Sequence, residues 1–126
     1  MLVRIANAYG GLAPLPGYDH HLIVSVHFRA PKSNGFPSSE EGDDLQAVEL
    51  NMCSLLETGN YVLSALVVTN NGLRDFIFYT RDPRATQEKI DRSISIFKGF
   101  EVEFAMEPAD DWRVYKAFSG MVNRVN

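Results

Sequence analysis

Asn71-Gly72, set between two apolar runs, constrains this chain more than any other pair of residues. A two-residue hairpin turn of type I′ needs φ > 0 at both central positions, and Asn followed by Gly meets that need at low steric cost. The flanking runs, Tyr61–Thr69 and Leu73–Arg81, therefore read as paired antiparallel strands. Asp82-Pro83 follows at once: an aspartate that can cap a helix, then a proline whose fixed φ suits the first helical position. The amphipathic segment they open carries Ile90, Ile94 and Phe97 as its stripe and closes at Gly99.

A strand–helix unit precedes the hairpin. His21–Arg29 alternates Leu22, Val24, Val26 and Phe28 against His21, Ser25, His27 and Arg29, with Ile23 the one apolar exception. After the turn-rich Ala30–Pro37, Ser38 and Glu41 have the spacing of a capping box. Leu45, Val48, Met52, Leu55 and Leu56 recur at helical spacing, and Gly59 suits a left-handed C-terminal cap. Phe100–Met106 alternates again, and Asp111 is placed to cap a last short helix carrying Trp112, Tyr115 and Phe118. The order β-α-β-β-α-β predicts an α+β, ferredoxin-like sandwich: a four-stranded antiparallel sheet with two helices on one face, plus the short C-terminal helix. This core spans residues 20–118, behind an irregular Met1–Asp19 with room for one edge strand at Leu2–Ala6, and before a tail at 119–126.

Composition narrows the class. A chain of 126 residues, 45% hydrophobic and 22% charged, suits one globular domain. Its single cysteine, Cys53, excludes an intramolecular disulfide and fits a reducing cytoplasm. Met1–Gly10 lacks a basic segment followed by a long apolar core, so no signal peptide is expected, and no apolar run approaches the ~20 residues of a membrane helix. A formal charge of −4 argues against nucleic acid as the main partner.

The turn also sets which side chains share a face. With Asn70 opposite Leu73 and Val67 opposite Phe76, one face carries Leu63, Ala65, Val67, Phe76 and Phe78, assigned to the helix-covered core. The other carries Val62, Ser64, Leu66, Val68, Asp75, Ile77, Tyr79 and Arg81. That face is too apolar to stand in water, so Leu66, Ile77, Tyr79 and Arg81 form a candidate partner or dimer surface. Its cover is expected from the chain's own termini, a second copy in a homodimer, or a protein partner.

No residue cluster has the spacing of a catalytic or cofactor site, and none is expected to hold a metal. His20 and His21 point to opposite sides of a strand, and His21 and His27 lie roughly 20 Å apart along it. Cys53 reads as a small buried hydrophobe. Glu101 and Glu103 share a face about 7 Å apart, a spacing compatible with acid–base chemistry, but charge on a peripheral strand also discourages edge pairing. No glycine-rich phosphate cradle is present. Arg74-Asp75-Phe76-Ile77-Phe78-Tyr79 faintly matches an RNA-recognition strand, yet Asp75 stands where glycine is expected and the register turns Phe76 and Phe78 toward the helices.

Charge is distributed unevenly. Ser38–Gly59 holds Glu40, Glu41, Asp43, Asp44, Glu49 and Glu57 and no lysine or arginine. First-turn carboxylates complement the helix dipole, which leaves Glu49 and Glu57 unexplained. Either the helix is solvated there, or these two belong to an acidic docking surface.

Gly35-Phe36-Pro37-Ser38-Ser39-Glu40-Glu41, Asp75-Phe76-Ile77-Phe78-Tyr79-Thr80, Phe97 with Gly99-Phe100-Glu101-Val102, and Asp111-Trp112 with Tyr115 together resemble the bacterial domain-of-unknown-function 695 family. The resemblance covers about Pro14 to Phe118. It departs from the family pattern in one place: members often carry an aromatic-rich segment ahead of the region matched by Met1–Asp19. That family is in turn similar to the regulator of ribonuclease activity B, an acidic α+β protein that binds and inhibits an endoribonuclease. The resemblance implies a non-catalytic, regulatory, protein-binding domain. An RNA-binding module on the open sheet face is the alternative, and a small-molecule enzyme the third reading.

Overall fold

A computed structural model describes residues 2–5, 16–29, 32–97, 99–108, 112, 115 and 117. The hairpin forms as its turn dictates. β3 (Val62–Asn70) and β4 (Leu73–Thr80) pair with Asn70 opposite Leu73 and Val67 opposite Phe76, while Asn71 (φ 50°) and Gly72 (φ 83°) both take positive φ. β4 pairs with β2 (His20–His27), and β2 with β5 (Glu101–Pro108), every pair antiparallel. The sheet has five strands where four are expected from the β-α-β-β-α-β core, in the order β1-β3-β4-β2-β5. The extra strand is β1 (Leu2–Ile5), which satisfies the free edge of β3 by pairing Leu2–Ile5 with Thr69–Leu66.

Helix α1 (Ser39–Glu57) starts at its expected cap, Ser38 Oγ accepting from the Glu41 N–H at 3.2 Å. The buried Glu41 carboxylate accepts from the Arg29 backbone N–H (2.8 Å) and Nε (3.2 Å), tying the end of β2 to the first turn of α1. At the other end the chain leaves the helix through Gly59 at φ 97°. The last turn of α1 contains no basic residue, and Lys89 reaches across to donate to the Thr58 carbonyl while lying over the Tyr61 ring. This cation offsets the dipole that opposes Glu57.

Helix α2 (Pro83–Asp91) is capped by Asp82, which accepts from the Ala85 N–H at 3.0 Å. It ends well before the expected Gly99. The Ser93 hydroxyl and backbone N–H both donate to the Ile90 carbonyl, at 2.6 and 2.9 Å, which breaks the regular ladder, and a short 3-10 turn (Ile94–Phe97) completes the segment. Of the last helix expected from Asp111 to Phe118, Tyr115 and Ala117 are helical; Asp111 and Phe118 lie outside the described residues.

Both helices contribute to one core. Leu45, Val48, Met52 and Leu56 of α1 and Ile90 of α2 pack on Leu22, Val24 and Val26 of β2 and Phe76 and Phe78 of β4. β3 corrects the face assignment made from its sequence. A bulge between Ser64 and Leu66 inserts Ala65, so Val62 joins the helix-side core and Leu63 and Ala65 the opposite side.

Cys53 sits against the helix-side core, where burial pushes its thiol up to about 11, with Glu57 and Glu49 adding to the shift. A raised pKa keeps the thiol protonated at neutral pH. Iodoacetamide labelling of the native protein is expected to be much slower than that of a free thiol at pH 8, and to accelerate only as the pH nears 11. Rapid labelling at pH 7 would contradict this.

Candidate functional site

The sheet face away from the helices divides in two. Over β3 and β4, Leu66, Ile77 and Tyr79 are 1%, 3% and 0% exposed. Trp112 stacks on Tyr79 with ring centroids 4.0 Å apart and planes 9° from parallel, and donates Nε1–H to the Tyr18 carbonyl at 2.9 Å. The Tyr115 ring meets Trp112 edge-on, and its backbone N–H donates to the Tyr79 hydroxyl at 3.2 Å. Burial pushes the Tyr79 phenol above its ordinary pKa. The cover expected for this face therefore comes from within the chain, and three of the residues placed on a partner or dimer surface are interior. Arg81 is exposed, its guanidinium 5.8 Å from the Tyr18 ring centroid. Phe76 and Phe78 are buried beneath the helices, as the register requires, and not presented for base stacking.

The β2–β5 half of the same face is polar. Ser25 Oγ donates to Asp75 Oδ1 at 2.5 Å, and His21 and His27 lie 3.6 Å from Glu107 and Glu103. Glu101, Glu103 and Glu107 are exposed. Among the described residues no group of three or more His, Cys, Asp and Glu side chains could hold a metal ion.

The opposite layer holds a cavity. Where α1 overhangs the edge of the sheet, a cleft of about 480 Å³ opens between Gln46 and Leu50 of the helix and Arg4, Val67, Thr69 and Arg74 of the strands. Strand pairing sets this lining: Arg4 is opposite Val67, and Thr69 opposite Arg74. Arg4 pairs with Glu49 at 2.5 Å, which accounts for a carboxylate the helix dipole does not. Arg74 is half-buried and donates Nε–H to the Thr69 hydroxyl at 2.9 Å. Burial pulls its pKa below the ordinary value, Glu49 acting against this and Arg4 with it. Among the described residues no carboxylate pairs with Arg74.

Gly42 also lines the cleft, and a Cβ built on it would meet nothing within 4 Å. Its place inside α1 needs no special backbone, so Gly42→Ala is expected to stabilise the protein by about 0.5–1 kcal/mol in urea unfolding. An unchanged or lowered midpoint would contradict a regular helix at that position.

Along the outward side of α1, Asp43, Leu50 and Glu57 follow one another at seven-residue intervals and share a stripe, Leu50 standing where that stripe meets the mouth of the cleft. All three are exposed, Leu50 by 63%, and Glu40 lies exposed one turn earlier. Sequence reasoning singled out Glu49 and Glu57 but passed over Arg4, Leu50 and Arg74. The one available signal was Gly42, a glycine inside an otherwise helical pattern.

The molecule is thus an α+β domain whose antiparallel sheet carries helices on one side and an aromatic cover on part of the other. Residues 2–119 match the model of the family of unknown function DUF695, and the chain belongs to that family. No curated protein and no solved structure matches it. No helix among the described residues is long and apolar enough to cross a membrane.

Proposed function

We propose that this protein is a non-catalytic, regulatory domain that binds a protein partner through the outward face of α1. One observation carries this reading: Leu50 stands 63% exposed between the exposed carboxylates of Asp43 and Glu57. An apolar anchor in an acidic surround suits a partner that offers an apolar recess rimmed by lysine or arginine, since complementary charge speeds encounter and fixes register. The order β3-β4-β2-β5 with both helices on one side reads as a ferredoxin-like unit. On this reading the protein acts by occupancy rather than by chemistry, which is what the resemblance drawn from its sequence to the regulator of ribonuclease activity B implies.

Capture from a lysate of the source cells, with and without nuclease, tests this reading. Capture is expected to survive nuclease, to weaken as ionic strength rises, and to disappear in a variant combining Asp43→Lys, Leu50→Ala and Glu57→Lys whose circular dichroism is unchanged. Capture by that variant at low ionic strength would remove α1 from the interface. Loss of capture after nuclease would point to nucleic acid instead.

A further inference from the structure

The cleft under α1 leads beyond the docking reading. We propose that it binds a small carboxylic acid with an apolar body, the carboxylate paired with the Arg74 guanidinium. A half-buried guanidinium loses hydration that only a charged or hydrogen-bonding partner replaces. Here Nε is engaged by the Thr69 hydroxyl, and among the described residues the two terminal nitrogens have no acceptor. They present two parallel N–H groups, the fork that a carboxylate accepts in bidentate fashion.

Charge selects the ligand class. Arg4 and Glu49 neutralise each other at the rim, which leaves Arg74 as a single positive charge. A monoanion balances that charge, whereas a phosphate dianion carries one negative charge in excess of it. Size and lining select the rest. A volume of about 480 Å³ falls in the range of small-molecule sites, and Val67 and Leu50 offer apolar contact beside the Gln46 amide. Gly42 supplies the second, independent observation. Neither its φ nor any neighbour demands glycine, and its missing side chain keeps the cleft open at a cost in helix stability.

The full chain, labelled with nitrogen-15, can be titrated with hexanoate, hexanol or inorganic phosphate and followed by amide and Arg Nε–H resonances. Hexanoate is expected to shift Arg74 Nε–H, Thr69 and Leu50 saturably with a Kd of about 1 mM, the affinity open to a fragment of this size. Hexanol and phosphate should bind at least about tenfold more weakly, the loss of one good charged contact. Arg74→Gln should lose hexanoate binding. Gly42→Met should fill the cleft, raise the unfolding midpoint and lose binding as well, so that failure to bind cannot be put down to failure to fold. Absence of saturable hexanoate shifts in the wild type, equal binding of hexanol or phosphate, or undiminished binding by Gly42→Met would each overturn the proposal. Neither variant alters Asp43, Leu50 or Glu57, so such a failure leaves the docking reading standing.

Discussion

Replacing Trp112 with alanine is expected to destabilise the fold by about 3–5 kcal/mol, the range for truncating a large buried aromatic. The indole is 1% exposed, lies flat on Tyr79 and holds the Tyr18 carbonyl through Nε1. Removing it uncovers Leu66, Ile77 and Tyr79 together, so the variant should also bind a hydrophobic dye that the wild type ignores. Trp112 has φ 61°, a left-handed backbone uncommon for a bulky residue. Trp112→Gly should therefore retain about 1 kcal/mol more than Trp112→Ala, because glycine takes that conformation without the Cβ penalty. Chemical denaturation measures all three proteins. An unchanged midpoint in Trp112→Ala would overturn the assignment of this residue as the fastener of the sheet face.

The second large effect is expected at Thr80, where β4 hands over to α2. Its hydroxyl accepts from the Asp82 N–H at 3.0 Å, donates toward the Tyr61 carbonyl at 3.1 Å and lies 2.8 Å from the Thr86 hydroxyl, with Thr80 and Thr86 both fully buried. The one Thr86 hydroxyl proton is shared between the Thr80 oxygen and the Asp82 carbonyl, which is also 2.8 Å away. Thr80→Val keeps the shape and removes the hub, stranding a backbone N–H at the cap of α2, for a loss of about 1–3 kcal/mol. Thr80→Ser should keep most of that stability. The double variant with Thr86→Val should lose less than the sum of the single losses, because each hydroxyl is the other's partner. Strict additivity in urea unfolding would show that the two do not form one network.

The hairpin, both helix caps and the order of the four core strands were legible because each is written in local chemistry: Asn71-Gly72, Ser38 with Glu41, Asp82-Pro83. The early stop of α2 was not, since it depends on Ser93 turning its hydroxyl back to Ile90, and a serine on an exposed helix face looks the same in sequence. The apolar excess of Leu66, Ile77 and Tyr79 was visible, but which group covers them required residues more than thirty positions away to fold over. The cleft was hidden for the same reason. Arg4 and Arg74 are ordinary surface residues until β1 and β4 pair with the two sides of β3 and bring them under α1, beside Glu49.

Ala65 bears on how the length of this chain can change. In a regular strand, losing or gaining one residue exchanges every side chain beyond it between the two faces. β3 already contains one residue in excess, and the exchange has been absorbed there: Val62 and Ser64 lie on the helix side, Leu63 on the other, as they would in a strand with no residue 65. Deleting Ala65 leaves every other side chain of β3 on its present face, whereas deleting Val67 would send Leu66 into the helix layer. The bulge is thus the place where β3 can shorten by one residue without the sheet being turned inside out.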